Sequence, residues 1–359
     1  MRILYINYVD SDHLTSGSSV RPIRILNAFK ESGHEIITLT GDQMKRSRIA
    51  NVRKVERMVS ENRPDICYIE SPVHPIYRQC DRRLIRDLNR LGVPIGFFLR
   101  DFYAKFRKDF PRRKNSVLNY IKDCYWDYLL HKTYKTLAYC DIVYLPSNEC
   151  KCLFQYKDMR SLPPAGENVI IRPRKANHTC LYIGGIMGHY NCDLLLDTFD
   201  YLHKIDHSFH LILVTREKVW KRYQHPLKNA EWLEVHHTSG DGLIPLYERA
   251  SLGLVVPRTD IQYNHFAVSV KVFEYMSYGL PVIATNSKAL AEIINNESVG
   301  YTAESTVEGL ALKIQQLLNN PDEYYRICNN IYESLMTRHL WKHRVDQIIS
   351  ELTEKLQKK

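Results

Sequence analysis

The chain has 359 residues, of which 44% are hydrophobic and 25% charged, and this length favours two domains over a single core. No apolar run approaches the roughly 18 residues of a membrane-spanning helix, so we expect no such helix. The first residues resemble a strand, so we expect no signal peptide. The net charge of +10 is uneven: residues 1–165 carry 29 basic and 18 acidic side chains, and residues 166–359 carry 21 and 22. The basic half predicts an anionic partner, which could be nucleic acid, a membrane face or a phosphorylated acceptor. Nine scattered cysteines favour reduced thiols in a cytoplasmic protein.

Short apolar runs alternate with amphipathic segments through the first half of the chain, which is typical of an α/β domain with a parallel sheet. The predicted strands are 2–9, 35–40, 65–70, 94–100 and 141–146, and the predicted helices are 20–32, 49–61, 77–91 and 115–138. Leu162-Pro-Pro-Ala-Gly166 is rich in residues that break both element types, so it predicts a linker and a first domain over 1–165.

The same alternation begins again after the linker and predicts a second α/β domain over 166–340. Its predicted strands are 180–183, 210–215, 233–237, 252–256 and 282–285, and its predicted helices are 191–204 and 243–250, with further helix from 307 onward. A final helix is predicted over 341–356.

The most informative stretch is 266–285, which predicts a helix followed directly by a buried strand. Ser269 can cap the helix, and Gly279 followed by Pro281 can end it. Lys271 lies in the first turn and Glu274 lies three residues later, so both side chains project from one face. A cation, free N–H groups and the positive end of the helix dipole suit a phosphate, and the carboxylate suits a ribose diol.

This stretch resembles the donor-binding signature of GT-B glycosyltransferases, chiefly glycosyltransferase family 4 and its relatives. The resemblance implies two Rossmann-like, doubly wound α/β domains facing across a cleft, with the terminal helix (about 341–359) crossing back onto the first domain. It also implies that Glu274 holds the ribose of a nucleotide-sugar and that the helix start, with Ser269 and Val270, holds the diphosphate. The family pattern has another glutamate, separated from this one by seven residues, and this chain has Phe266 there, so a sugar-binding role at that position is in doubt.

The glycine-rich loop after strand 180–183 lacks the dinucleotide fingerprint, because the first glycine would fall at Ile183. By position, Gly185 matches the family loop near the donor phosphates, although the arginine and lysine usual in that loop are absent. We therefore expect Lys271, with Arg258, to supply the charge; a solvated loop arginine is the alternative for Arg258. Thr238, at a strand end, either lies near the nucleobase or packs in its loop.

Asp101, at the end of a first-domain strand, is the candidate general base if the reaction inverts configuration. It could instead cap the next helix or pair with Arg100. His13 is a second candidate, and a retaining enzyme would need no such base.

The segment 105–114 is basic, and aromatic residues follow it from Tyr120 to Tyr128. Such a surface can rest on an anionic membrane face, bind nucleic acid or simply be solvated. The resemblance favours the inner membrane face, and no nucleic-acid partner is expected.

The resemblance implies a glycosyltransferase that moves a sugar from a nucleotide-diphosphate sugar to a hydroxyl of a glycan or lipid-linked acceptor, in surface polysaccharide biosynthesis. Lys271 would stabilise charge on the leaving diphosphate. Neither a metal nor a cofactor is expected. The alternatives are a GT-B nucleotide-sugar epimerase and a basic, non-enzymatic nucleic-acid-binding protein.

Overall fold

The computed structural model describes residues 1–10, 17–110, 116–169 and 176–358. The chain divides into two compact units: unit 1 comprises Met1–Pro163 and Trp341–Lys359, and unit 2 comprises Pro164–Leu340. Each unit contains a six-stranded sheet, and every strand pairing in both sheets is parallel. The predicted α/β class with parallel sheets is therefore confirmed.

The sheet of unit 1 has the strand order β2-β1-β3-β4-β5-β6. Its strands are β1 (Arg2–Ile6), β2 (Glu35–Leu39), β3 (Ile66–Glu70), β4 (Ile95–Phe98), β5 (Ile142–Leu145) and β6 (Met159–Ser161). Its first four helices are α1 (Gly17–Glu31), α2 (Ser47–Glu61), α3 (Gln79–Arg90) and α4 (Val117–Leu137). The central strands are apolar and buried because helices cover both faces of a doubly wound sheet.

The sheet of unit 2 has the order β12-β11-β10-β7-β8-β9. Its strands are β7 (Thr179–Ile183), β8 (His210–Val214), β9 (Leu233–His236), β10 (Leu252–Val255), β11 (Val282–Thr285) and β12 (Gly300–Ala303). Its helices are α5 (Cys192–Ile205), α6 (Glu217–Trp220), α7 (Ile244–Arg249), α8 (Val270–Ser277), α9 (Lys288–Glu297), α10 (Val307–Leu318) and α11 (Pro321–Ser334). Counted from its first strand, the order is 3-2-1-4-5-6, which is the Rossmann arrangement.

The last helix, α12 (Trp341–Leu356), packs on the sheet of unit 1. Lys355 Nζ lies 2.8 Å from Asp158 Oδ2. Leu352 lies against Gly96 of β4, where a Cβ atom would come within 3.2 Å of the leucine Cδ1. None of the helices in the described ranges is long and apolar enough to cross a membrane.

The end of the predicted linker is packed rather than free. Gly166 N–H donates to the His339 carbonyl at 2.8 Å, and Gly166 also forms a β-bridge with Leu340. A Cβ atom at position 166 would lie 2.4 Å from Ser277 Oγ. A side chain there would clash with α8, so this glycine permits the chain to pass close beside that helix.

Candidate functional site

The loops that follow β7 and β10 lie side by side at the carboxyl edge of the unit 2 sheet. Asn191 N–H donates to the Val256 carbonyl, and Arg258 N–H donates to the His189 carbonyl, both at 3.1 Å. β7 and β10 are the neighbouring strands at which the strand order reverses. Open α/β sheets bind ligands outside the carboxyl ends of the strands at such a switch point.

Helix α8 is anchored to this switch point by Tyr275. The buried Tyr275 hydroxyl accepts a hydrogen bond from Ile183 N–H at 3.0 Å and donates one to the Leu254 carbonyl at 3.3 Å. Gly253 makes room for the ring, because a Cβ atom there would lie 2.3 Å from it. The tyrosine thereby fixes the position of α8 relative to β7 and β10.

The start of α8 has the predicted cap. Ser269 Oγ accepts a hydrogen bond from Lys271 N–H at 3.2 Å. The helix ends at Ser277, and Gly279 follows with a φ of 67°, in the left-handed region that glycine adopts without strain. The predicted helix, its two ends and the following strand are confirmed.

Lys271 and Glu274 lie together on one face of α8, and a third residue joins them. Lys271 Nζ contacts Glu274 Oε2, and the Tyr247 hydroxyl of α7 donates to the same oxygen at 3.0 Å. Glu274 Oε1 has no hydrogen-bond partner among the described residues. About one quarter of each charged side chain is exposed, so the pair can meet a ligand.

Tyr247 holds the carboxylate of Glu274 in place. Its ring stacks on Tyr278 with centroids 3.9 Å apart and an interplanar angle of 6°. Burial and the nearby Glu274 charge raise the pKa of Tyr247 well above its ordinary value. The hydroxyl therefore keeps its proton and remains a hydrogen-bond donor to Glu274 at physiological pH.

The loop after β7 brings Gly185 to the same edge of the sheet. A Cβ atom at Gly185 would lie 2.2 Å from Cε2 of Tyr190, so the ring packs directly on the glycine backbone. Gly188, with a φ of 72°, turns the loop back toward β10. Gly185 is therefore explained by the close ring contact, and Gly188 by its positive φ angle, without reference to a ligand.

Two further predicted residues are less closely placed. Arg258 lies beside the β7 loop, but its guanidinium is 46% exposed and pairs with Asp260, with Nε 3.0 Å from Oδ1. Thr238 follows β9, three strands from β10, and packs against Gly242. The structure brings Gly185, Ser269, Val270, Lys271 and Glu274 to the region of β7, β10 and α8, and leaves Thr238 at the far strand.

In unit 1, Asp101 lines a pocket of about 70 Å³ beyond the end of β4. Aromatic side chains, among them Trp126 and Tyr134, form part of its wall. Burial raises the pKa of Asp101 to about 6, although the Arg100 charge acts in the opposite direction. A carboxyl group with this pKa can exchange a proton near neutral pH. His13 lies outside the described residues.

Comparisons with known proteins complete this description. Residues 177–320 match the sequence model of the family described as glycosyl transferases group 1. Over 151 residues the chain is 26% identical to glucosyltransferase 3 of Streptococcus parasanguinis. The match covers 37% of this chain and 44% of that protein. The matched part is therefore less than half of the curated relative.

Solved structures extend the likeness to nearly the whole chain. An alpha-glucosyltransferase in complex with UDP superposes with a TM-score of 0.61 at 12% identity, covering 98% of this chain and 100% of the other. The chain has the fold of GT-B glycosyltransferases. Trehalose 6-phosphate synthase of Burkholderia multivorans matches with a TM-score of 0.59 at 10% identity, covering 98% and 96% of the two chains. The pneumococcal O-GlcNAc transferase in complex with UDP and GlcNAc also has this fold. It matches with a TM-score of 0.59 at 12% identity, covering 86% of this chain and 60% of the other.

Proposed function

We propose that this GT-B protein is a glycosyltransferase that uses a nucleoside-diphosphate sugar, with UDP as the nucleotide. The observation that carries the proposal is the cluster of Lys271, Glu274 and Tyr247 at the start of α8, beside the switch point of a Rossmann-type sheet. Two of the structurally similar proteins were solved in complex with UDP, which supports the choice of nucleotide.

In this proposal the free Oε1 of Glu274 accepts hydrogen bonds from the ribose hydroxyls, while Oε2 stays with Tyr247. Lys271 turns its remaining N–H groups to the diphosphate, which also meets the N–H groups of Ser269 and Val270 at the helix start. An acceptor hydroxyl attacks the anomeric carbon as the bond to the diphosphate breaks. The leaving group then gains negative charge next to Lys271 and the helix dipole.

Glu274→Ala should abolish the thermal stabilisation that UDP gives the wild-type protein. A ligand at 100 times its dissociation constant stabilises a protein by about 2.7 kcal/mol, which is easily measured as a rise in Tm. The variant loses the carboxylate that we assign to the ribose, so its Tm should move little at the same UDP concentration. A panel of UDP, GDP and dTDP, each with a matching sugar nucleotide, identifies the base.

The matched control is Glu308→Ala, which removes an exposed glutamate from the first turn of α10 in the same unit. It should respond to UDP as the wild type does. An undiminished UDP response in Glu274→Ala would contradict the assignment of the ribose site. Absence of any nucleotide response in the wild type would contradict the proposed donor class.

We also propose Asp101 as the general base. Only its carboxylate form can take a proton, so kcat/KM should rise with pH up to about 6 and then level off. Asp101→Asn should lower kcat/KM by about 10²- to 10⁴-fold and remove this rise. A pH profile that is flat from about pH 5 to pH 8 in both proteins would contradict the role and favour a mechanism without a base.

For the acceptor we propose a lipid-linked glycan at the cytoplasmic membrane face, in surface polysaccharide synthesis. The first half of α4 supports this, because its large apolar side chains are exposed and the exposed Lys122 lies among them. The exposed fractions are Val117 76%, Leu118 68%, Tyr120 68%, Ile121 57%, Tyr125 58% and Tyr128 53%. None of the nine cysteines, all within the described ranges, forms a disulfide, as expected in a reducing compartment. The basic residues at 112–114 lie outside the described ranges.

Leu118→Asp together with Ile121→Asp should weaken binding to vesicles that contain anionic phospholipid, because both charges would enter the apolar contact. Co-sedimentation with anionic and with uncharged vesicles measures this. Leu312→Asp, which changes a 60% exposed leucine of α10, is the control. Equal sedimentation of all three proteins would contradict the membrane surface. Strong, salt-sensitive binding of random duplex DNA by the wild type instead would favour a nucleic-acid partner.

Independence from metals and cofactors is part of the proposal. An epimerase would isomerise the sugar nucleotide or release free nucleotide without an acceptor. Product analysis of reactions with and without acceptor therefore separates that alternative from transfer.

A further inference from the structure

Three side chains with metal-binding atoms converge at the amino-terminal edge of the unit 2 sheet. His203 lies near the end of α5, His207 follows that helix, and Glu231 precedes β9. The proposed donor site lies at the carboxyl ends of parallel strands, so this cluster is at the opposite edge of the same sheet. It plays no part in the proposed transfer reaction.

The distances within the cluster suit a small ion. His203 Nε2 lies 3.1 Å from His207 Nδ1 and 3.1 Å from Glu231 Oε1, and all three atoms lie within 4.8 Å of one another. Ligands about 2.0–2.2 Å from a tetrahedral zinc ion are separated by similar distances. The His-x-x-x-His spacing of 203 and 207 is also common among zinc ligands.

The other nitrogen of His203 fixes its tautomer. His203 Nδ1 lies 3.3 Å from the carbonyl oxygen of Phe209, which can only accept, so Nδ1 carries a proton. In the neutral ring, Nε2 then offers a lone pair to the cluster. A histidine that ligates a metal usually donates its second N–H to a carbonyl or carboxylate in this way.

Among the three side chains themselves, no placement of protons gives every facing atom its own partner. If His203 is neutral, His207 can donate to Nε2, but the Glu231 oxygen then faces the same lone pair. If His203 is protonated, a single N–H must serve both the Glu231 oxygen and His207 Nδ1. A divalent cation instead accepts all three lone pairs at once.

We propose that His203, His207 and Glu231 bind a zinc-type divalent cation. Two imidazoles and one carboxylate suit Zn²⁺ and its neighbours in the transition series, whereas Mg²⁺ and Ca²⁺ prefer oxygen ligands only. Three protein ligands leave one position for water. The ion ties the segment after α5 to the segment before β9, so its role is to hold this edge of unit 2 together.

Equilibrium dialysis of the full chain, purified without a histidine tag and stripped with chelator, tests the site with Zn²⁺ alone. The wild type should hold one ion per chain at this site. His207→Ala and Glu231→Gln should each bind it at least about tenfold more weakly. Both side chains are exposed, so neither substitution threatens the fold. His131→Ala, which removes an exposed histidine of α4, should leave binding unchanged.

Cobalt spectroscopy separates this site from the free thiols, of which Cys124 and Cys152 are exposed. Co²⁺ bound at the cluster should give the visible bands of nitrogen and oxygen coordination and no thiolate charge-transfer band, and His207→Ala should lose the visible bands. Equal affinity in wild type and both cluster variants would overturn the proposal, and so would a spectrum with thiolate bands only.

Discussion

Lys271→Ala is expected to lower kcat for sugar transfer by about 10²- to 10³-fold. In the proposed reaction the diphosphate becomes more negative as its bond to the sugar breaks, so a cation beside it stabilises the transition state more than the bound donor. Lys271 lies in the first turn of α8 with one quarter of its side chain exposed, next to the N–H groups of the helix start. Steady-state kinetics with saturating sugar nucleotide measure the effect.

The split between kcat and KM distinguishes this role from a structural one. Lys271 also pairs with Glu274, so a lysine that only positioned the carboxylate would raise KM for the donor and leave kcat nearly unchanged. Lys204→Ala removes the lysine of an exposed Lys204–Asp200 pair on α5 and should change neither constant. A wild-type kcat in Lys271→Ala would contradict leaving-group stabilisation.

The helix that carries this lysine could be predicted from sequence because its signals are local. The Ser269 side chain caps the first turn by accepting from Lys271 N–H, two residues later. Gly279 ends the helix by adopting a left-handed φ angle. The apolar run that begins at Val282 forms a buried strand. Each of these features depends on residues a few positions apart. They agree with one another, which is why the helix–strand unit was predicted with correct ends.

The rest of the site depends on contacts that are distant in sequence. Tyr247 lies 27 residues before Glu274, and Tyr275 bonds Ile183 across 92 residues. Neither tyrosine has a neighbouring signal that distinguishes it from an ordinary core residue. The strands β6 and β12 were not predicted. The three-residue β6 contains only one apolar residue, and β12 begins with glycine, so neither has the apolar pattern of a strand.

The order of the strands in the sheet could not be predicted from local sequence patterns either. Thr238 and Arg258 both follow strands, and the sequence left open whether each lies near the donor or only in its own loop. The order of the sheet places β9 three strands from β10, while the β7 loop lies directly beside Arg258. Alternation of helices and strands predicts a parallel sheet, but the position of each strand in it is decided by packing between distant segments.

Unit 1 contains a buried ion pair that ties the carboxyl ends of its first two strands. Arg48 of α2 is 1% exposed, and its Nε and Nη2 lie 2.9 and 2.7 Å from Asp81 Oδ1. Its Nη1 donates to the carbonyl oxygens of Asn7, Leu39 and Gly41 at 2.8, 3.3 and 3.2 Å. One guanidinium thus donates to one oxygen of a buried carboxylate and to three backbone carbonyls, of which that of Gly41 is only partly buried and that of Leu39 also accepts from Asn7 N–H.

Arg48→Ala should therefore lower the free energy of unfolding of unit 1 by about 3–5 kcal/mol, because it leaves the buried Asp81 carboxylate without its cation and removes one donor from each of three loop and strand carbonyls. Arg48→Lys should rescue little of this loss, since an ammonium group cannot reproduce the fork that spans Asp81 and the loop carbonyls. Urea denaturation followed by circular dichroism measures the change. Arg90→Ala, which breaks an exposed pair with Asp87, should shift the transition only slightly. Equal midpoints for Arg48→Ala and Arg90→Ala would mean that the buried pair contributes no more than a surface contact, and that backbone pairing and apolar packing are enough to hold β1 and β2 together.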